Sequence, residues 1–282
     1  MKNKKTAATF RTNGKRVRVL AEISILLALA TVLSVFKLYQ LPYGGAFTLA
    51  SMFPIILIAY RHGTVLGLVS GLIYGVLQQL LSLSYIQGMT LFSAVMVILL
   101  DYALAFGVIG FGGIFRKLCK NRTKAFVSGT LVGCFLRYIC HTVAGCTVWA
   151  GLSIPTNAAF VYSLLYNAAY MIPETAITVA AAYYLSSCID FDAELPVRVK
   201  SGNMGEKLSA FRIVGGLSLL AAVITDIIIV FSHTQKESGE FDITLIKTVS
   251  FNDILIMAAV TLGAVALYTI LYFIGKRKKR NG

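Results

Sequence analysis

The chain has 282 residues, 57% of them hydrophobic and only 13% charged, and its mean hydropathy is +0.76. A soluble domain carries roughly 25% charged residues, so this composition excludes one and reads as an all-α integral membrane protein. The formal net charge of +14 then reads as a topology signal and an attraction to anionic lipid, not as a nucleic-acid footprint.

Eight apolar segments approach the roughly 20 residues needed to cross a hydrocarbon core. They lie near 18–36, 47–60, 64–83, 90–113, 124–150, 158–188, 211–232 and 252–275. The first follows a basic N-terminus over 1–17 and runs past Val35 with no small-residue cleavage site, so it reads as a retained helix rather than a cleaved signal. Ser24 and Ala28 form a small-xxx-small pair on it. In lipid such a pair lets a helix approach closely, either inside this bundle or in a partner. The second segment is short, from Phe47 to Tyr60 with Pro54 inside it, and reads as broken or tilted.

The fourth segment places Asp101-Tyr102 after the apolar run Leu91 to Leu100. An ionisable group at membrane depth costs a few kcal/mol or more and by default faces a protected cavity. Asp101 has two roles open to it, a structural pairing with Arg137 or acceptance of hydrogen bonds from a polar or cationic ligand. The fifth segment carries Arg137, His141 and Gly145 at intervals of four, with Trp149 expected to continue the same helix face. Trp149 is the sole tryptophan and also suits an interfacial belt. The sixth segment adds Tyr162, Tyr166, Asn167, Tyr170 and Glu174, which serve either interhelical hydrogen bonding or a ligand. An acid, an indole and an amide together suit a flat, nitrogen-rich, positively charged small molecule.

A polar linker over 189–210 separates the six-helix domain, 18–188, from an appended pair over 211–275 and a basic tail over 276–282. With the N-terminus inside, 22 of the 26 Lys and Arg fall on cytoplasmic segments, so eight spans with both termini cytoplasmic are expected. No GxxxxGK[ST], HExxH or GxSxG pattern is present, so neither nucleotide-driven work by the chain alone nor enzyme activity is indicated. The five cysteines have no metal-ligand or disulfide spacing, and neither metal nor cofactor is expected. A self-sufficient ion-coupled transporter, with Asp101, Arg137, Asp226 and Asp253 as coupling groups, is the contrasting class, and an intramembrane enzyme a third.

Over roughly 17–188 the sequence resembles the thiamine-specific substrate-binding subunit (S component) of energy-coupling factor transporters. The resemblance rests on several separate stretches. These are Ala21-Glu22-Ile23-Ser24-(x3)-Ala28, Met52-Phe53-Pro54-Ile55, Tyr60-Arg61-His62-Gly63 and Leu100-Asp101-Tyr102. They continue with Arg137-Tyr138-Ile139-Cys140-His141 through Ala144-Gly145 to Trp149, and with Tyr162-Ser163-Leu164 and Asn167. It implies a six-helix bundle in a bacterial plasma membrane that binds thiamine from outside and does not transport alone. Asp101 would meet the aminopyrimidine, completed by Tyr102, and Trp149 would stack on that ring. Tyr162 and Asn167 would hydrogen-bond its nitrogens, and His141, beside Arg137, would lie next to the thiazolium.

The same resemblance makes the loop Lys37–Phe47 a lid. Ser24 and Ala28 would dock the transmembrane coupling subunit, whose two ATPase subunits supply energy. Three departures stand out. Aspartate replaces the family's glutamate at 101, and Gly44-Gly45 stands where the lid has an aromatic, leaving Tyr43 or Phe47 to cover the cation. The last two helices are extra. Another vitamin or a related pyrimidine is the alternative ligand.

Overall fold

A computed structural model describes residues 2–41, 44–150, 159–199, 210–234 and 242–280. Its helices are α1 (Lys2–Val35), α2 (Phe53–His62), α3 (Thr64–Leu81), α4 (Leu91–Arg116), α5 (Arg122–Thr147), α6 (Ala159–Cys188), α7 (Ala210–Thr234) and α8 (Phe251–Arg280). Strands β1 (Lys37–Gln40) and β2 (Ala46–Thr48) pair after α1, and β3 (Ile189–Asp190) pairs antiparallel with β4 (Val197–Arg198) at the start of the polar linker. The chain forms two compact units, one of residues 1–37 and 48–144, the other of 38–47 and 145–282.

Among the described residues six helices are long and apolar enough to cross a membrane: α3, α4, α5 and the apolar parts Gly14–Val35, Val214–Thr234 and Phe251–Ile274 of α1, α7 and α8. They make this a multi-pass membrane protein. The other two expected segments differ for identifiable reasons. The second is helical only over ten residues, with Pro54 in its first turn rather than its interior. Proline lacks the amide hydrogen that an interior position needs, so it marks the start of α2 instead of breaking it. The sixth, α6, is 30 residues long but interleaves Tyr162, Ser163, Tyr166, Asn167, Tyr170, Glu174 and Thr178 among its apolar residues.

Glycines set the packing of the first unit. On α3, Gly71 and Gly75 lie against the backbone of α4, where a Cβ on Gly75 would sit 2.5 Å from the Tyr102 carbonyl and one on Gly71 would run into that of Phe106. On α4, Gly110 meets the α3 backbone at Gly67 and Leu68, Gly113 meets Ala59 of α2, and Gly112 meets Gly129 of α5. Without a hydrophobic drive between helices in lipid, such close backbone approach supplies the packing energy. Aromatic stacking adds to it, with Tyr60 of α2 and Phe126 of α5 only 3.9 Å apart between ring centroids. At the same end Arg61 is paired with Glu22 of α1, and the Arg116 guanidinium donates to the Arg61 carbonyl at 2.5 Å.

In the second unit α7 and α8 run beside each other. Thr261 donates to Asp226 at 2.6 Å, and His233 lies 3.2 Å from Asp253, so both intramembrane carboxylates engage partners within the pair.

Candidate functional site

The candidate site residues fall into two groups of polar and aromatic side chains, one in each unit. In the first, the α4 backbone widens to a π-helix over Val97–Leu104, centred on Asp101 and Tyr102. A π turn departs from the i→i−4 ladder and re-aims the side chains around it, most often at functional sites. Facing it, α5 presents Arg137 and His141 one turn apart and both buried. Arg137 Nε donates to His141 Nε2 at 3.0 Å, and His141 Nδ1 is hydrogen-bonded to Asp101 Oδ1. Arginine can only donate, so Nε2 is the acceptor, and the imidazole is neutral with its proton on Nδ1 directed at the carboxylate. The link between Asp101 and Arg137 therefore runs through the imidazole.

The charges of Arg137 and Asp101 cancel across this chain, which limits the cost of holding them at low dielectric. Phe106 sits at its centre: the Arg137 guanidinium carbon lies 4.2 Å from the ring centroid, and Tyr74, Tyr102 and His141 surround it at 5.2, 6.2 and 6.2 Å. The Asp101 side chain is 19% accessible against 8% for His141, so the anionic acceptor is the accessible end. Such an end suits a cation or an N–H donor.

In the second unit, Tyr162, Ser163, Tyr166, Asn167 and Tyr170 of α6 are all buried. Asn167 Nδ2 donates to the Ser163 carbonyl and Oγ at 2.8 and 3.1 Å, and Tyr170 Oη donates to Asn167 Oδ1 at 2.5 Å. Trp149 is half-buried just beyond the end of α5 at Thr147. It does not continue the Arg137–His141–Gly145 face as expected: the helix ends at Thr147, and the indole sits on the bend that follows.

The expected lid is a β-hairpin rather than a loop. Only five residues join β1 to β2, too few for a parallel crossover, and Leu41 N–H donates to the Gly45 carbonyl at 2.6 Å. Gly44 adopts φ 99°, a conformation glycine takes without strain. Gly45 N–H donates to Tyr166 Oη at 3.0 Å, and a Cβ on Gly45 would fall 2.7 Å from Tyr170 Cδ1. Phe47 is fully buried and stacks on Tyr39 at 5.9 Å. Tyr43 lies outside the described residues. Ser24 and Ala28 are exposed on α1, whereas Ile23 and Ala30 are buried, so the small pair is on the outer face of the helix.

Sequence reasoning did not single out Phe106, the ring on which the first group converges, or the role of Tyr166 as the seat of the hairpin. Phe106 carries only a weak signal, an aromatic four residues after Tyr102. Among the described residues no group of three or more His, Cys, Asp or Glu is placed to hold a metal ion.

A family described as "Thiamine transporter protein (Thia_YuaJ)" matches residues 20–190. The thiamine transporter ThiT of Bacillus subtilis is 33% identical over 170 residues, 56% of this chain and 85% of that protein. ThiT of Lacticaseibacillus paracasei is 27% identical over 180 residues, 58% of this chain and 85% of that protein. The solved structure of ThiT from Listeria monocytogenes superposes with a TM-score of 0.50 at 28% identity, covering 61% of this chain and 94% of its own.

Proposed function

The chain belongs to the thiamine transporter family, and on that premise we propose that it is the substrate-capture subunit of an energy-coupling-factor-type vitamin importer. It binds thiamine from outside and hands it on in complex with a transmembrane coupling subunit and two ATPase subunits. The observation that carries this reading is the family match itself, because residues 20–190 take in every side chain proposed below to hold the ligand.

Asp101, at the accessible end of the Arg137–His141–Asp101 chain, takes a donor on the aminopyrimidine. Arg137 and His141 hold that carboxylate in place, and the neutral imidazole adds no repulsion toward the thiazolium cation. Tyr102 lines the ligand beside Asp101. Trp149 stacks on the pyrimidine, and Tyr162 and Asn167 hydrogen-bond its nitrogens. The β1–β2 hairpin, with Gly44, Gly45 and Phe47 in it, acts as the lid, and Tyr43 or Phe47 covers the cation.

The exposed pair Ser24 and Ala28 docks the coupling subunit, since a small-residue face turned outward lets another helix approach. Eight spans with both termini cytoplasmic follow if α2 and α6 also cross, which the distribution of basic residues favours.

The test has two parts. Purified protein should retain labelled thiamine in equilibrium dialysis, whereas liposomes containing this chain alone should not accumulate it. Accumulation by the chain alone would replace the reading with a self-sufficient transporter. Retention of another vitamin or pyrimidine in preference to thiamine would move the ligand assignment.

A further inference from the structure

Arg137 is a buried cation with little to donate to. Among the described residues its guanidinium makes one hydrogen bond, from Nε to His141 Nε2 at 3.0 Å, and its central carbon lies 4.2 Å from the centroid of the Phe106 ring. A guanidinium has five N–H donors and is costly to hold at low dielectric unless negative charge faces it. The face of an aromatic ring is negative and its edge positive, so the Phe106 face supplies part of what further acceptors would.

The ring is itself restrained from several sides. Tyr74 stands edge-on to it at 5.2 Å and 86°, and Tyr102 stacks on it at 6.2 Å and 22°. Tyr74 is fully buried, with its hydroxyl donating to the Ala30 carbonyl of α1 at 3.3 Å. The Phe106 backbone is fixed as well, because its carbonyl abuts Gly71 of α3 with no space for a Cβ between them. His141 stands perpendicular to the same ring at 6.2 Å and 88°. One ring thus bears on both the arginine and the imidazole to which that arginine donates.

We infer that Phe106 is a positioning residue for ligand capture. Its π face seats the Arg137 guanidinium, Arg137 Nε then keeps His141 Nε2 as an acceptor, and the imidazole presents Nδ1–H to the Asp101 carboxylate. The ring acts through its charge distribution and not through packing alone. The inference rests on the reading of Asp101 as a thiamine contact, while the seat of Arg137 rests on the geometry of the chain itself.

The test replaces Phe106 in the full-length chain with difluorophenylalanine and pentafluorophenylalanine, in the wild type and in Arg137→Gln. Fluorine keeps the ring's outline and apolar character and withdraws negative charge from its face. With Arg137 present, thiamine affinity measured by calorimetry should fall in steps, to about three- to tenfold below the wild type for the pentafluoro ring. The melting temperature in detergent should fall with it. In Arg137→Gln the same replacements should leave that variant's melting temperature unchanged, since no cation faces the ring. An equal fall in both backgrounds is the signature of packing alone and overturns the inference. Should Arg137→Gln not fold, the series with Arg137 present decides, and affinity constant within about twofold across both rings overturns it. A protein that binds no thiamine, yet melts lower with each fluorinated ring only when Arg137 is present, keeps the seat and overturns the thiamine reading instead.

Discussion

At residue 141 a neutral imidazole joins a buried arginine to an aspartate, and the direction of both hydrogen bonds follows from what arginine can donate. Asp101→Asn would remove the anion and turn an amide toward the ligand. It should weaken thiamine binding by about 1–3 kcal/mol and leave the Arg137 charge uncompensated, so the melting temperature in detergent should fall as well. Trp149→Ala and Asn167→Ala should each weaken binding, measured by calorimetry, by about 1–3 kcal/mol, the scale of a lost stacking or buried hydrogen-bond partner. Wild-type affinity in both would remove these residues from the site. The pairing of Arg137 with His141 was legible as a four-residue spacing on a helix. The insertion of the imidazole between Asp101 and Arg137 was not, because it depends on the π segment that turns Asp101 toward α5, and no short pattern announces that widening. The place of Trp149 was misread for a similar reason: helical periodicity was carried two residues beyond the point where the helix ends.

Among the elements, α3 and α4 show how much of the fold was carried by residues that contribute no side chain. Gly67, Gly71 and Gly75 recur every four residues, a readable small-residue stripe, yet which helix they meet is decided by tertiary packing. Gly71→Leu would drive a side chain into the Phe106 carbonyl and push α4 away from the position that presents Asp101. Overpacking of this kind costs about 1–3 kcal/mol, and thermal unfolding in detergent should record it together with a loss of thiamine binding. The lid offers a second case. Gly45→Ala would place a methyl 2.7 Å from the Tyr170 ring, so the hairpin should unseat and thiamine should dissociate faster in stopped-flow measurements. Dissociation at the wild-type rate would show that the hairpin seat does not retain the ligand. An aromatic at position 45 has no room here because Tyr166 and Tyr170 fill the space beneath, which accounts in steric terms for Gly45. The helical class and most helix positions were legible from apolar run length. The start of α2 and the β1–β2 hairpin were not, since a proline's place in a helix and a five-residue turn depend on backbone geometry that hydropathy does not record.

At the scale of the whole molecule, the family match ends at residue 190, and a relative of which 170 matched residues make up 85% has no length left for α7 and α8. The pair is fastened to itself through Asp226–Thr261 and His233–Asp253. A chain lacking it should therefore still bind thiamine within about tenfold of the full protein, and loss of binding on its removal would give the pair a part in capture. The central claim is that this chain captures thiamine at a site containing Trp149. Because Trp149 is the sole tryptophan, the most direct measurement is a thiamine titration of the purified protein in detergent, following its intrinsic fluorescence. Saturable quenching at nanomolar to low micromolar ligand is the predicted result. An unchanged signal from folded protein, with no heat of binding by calorimetry, would contradict it.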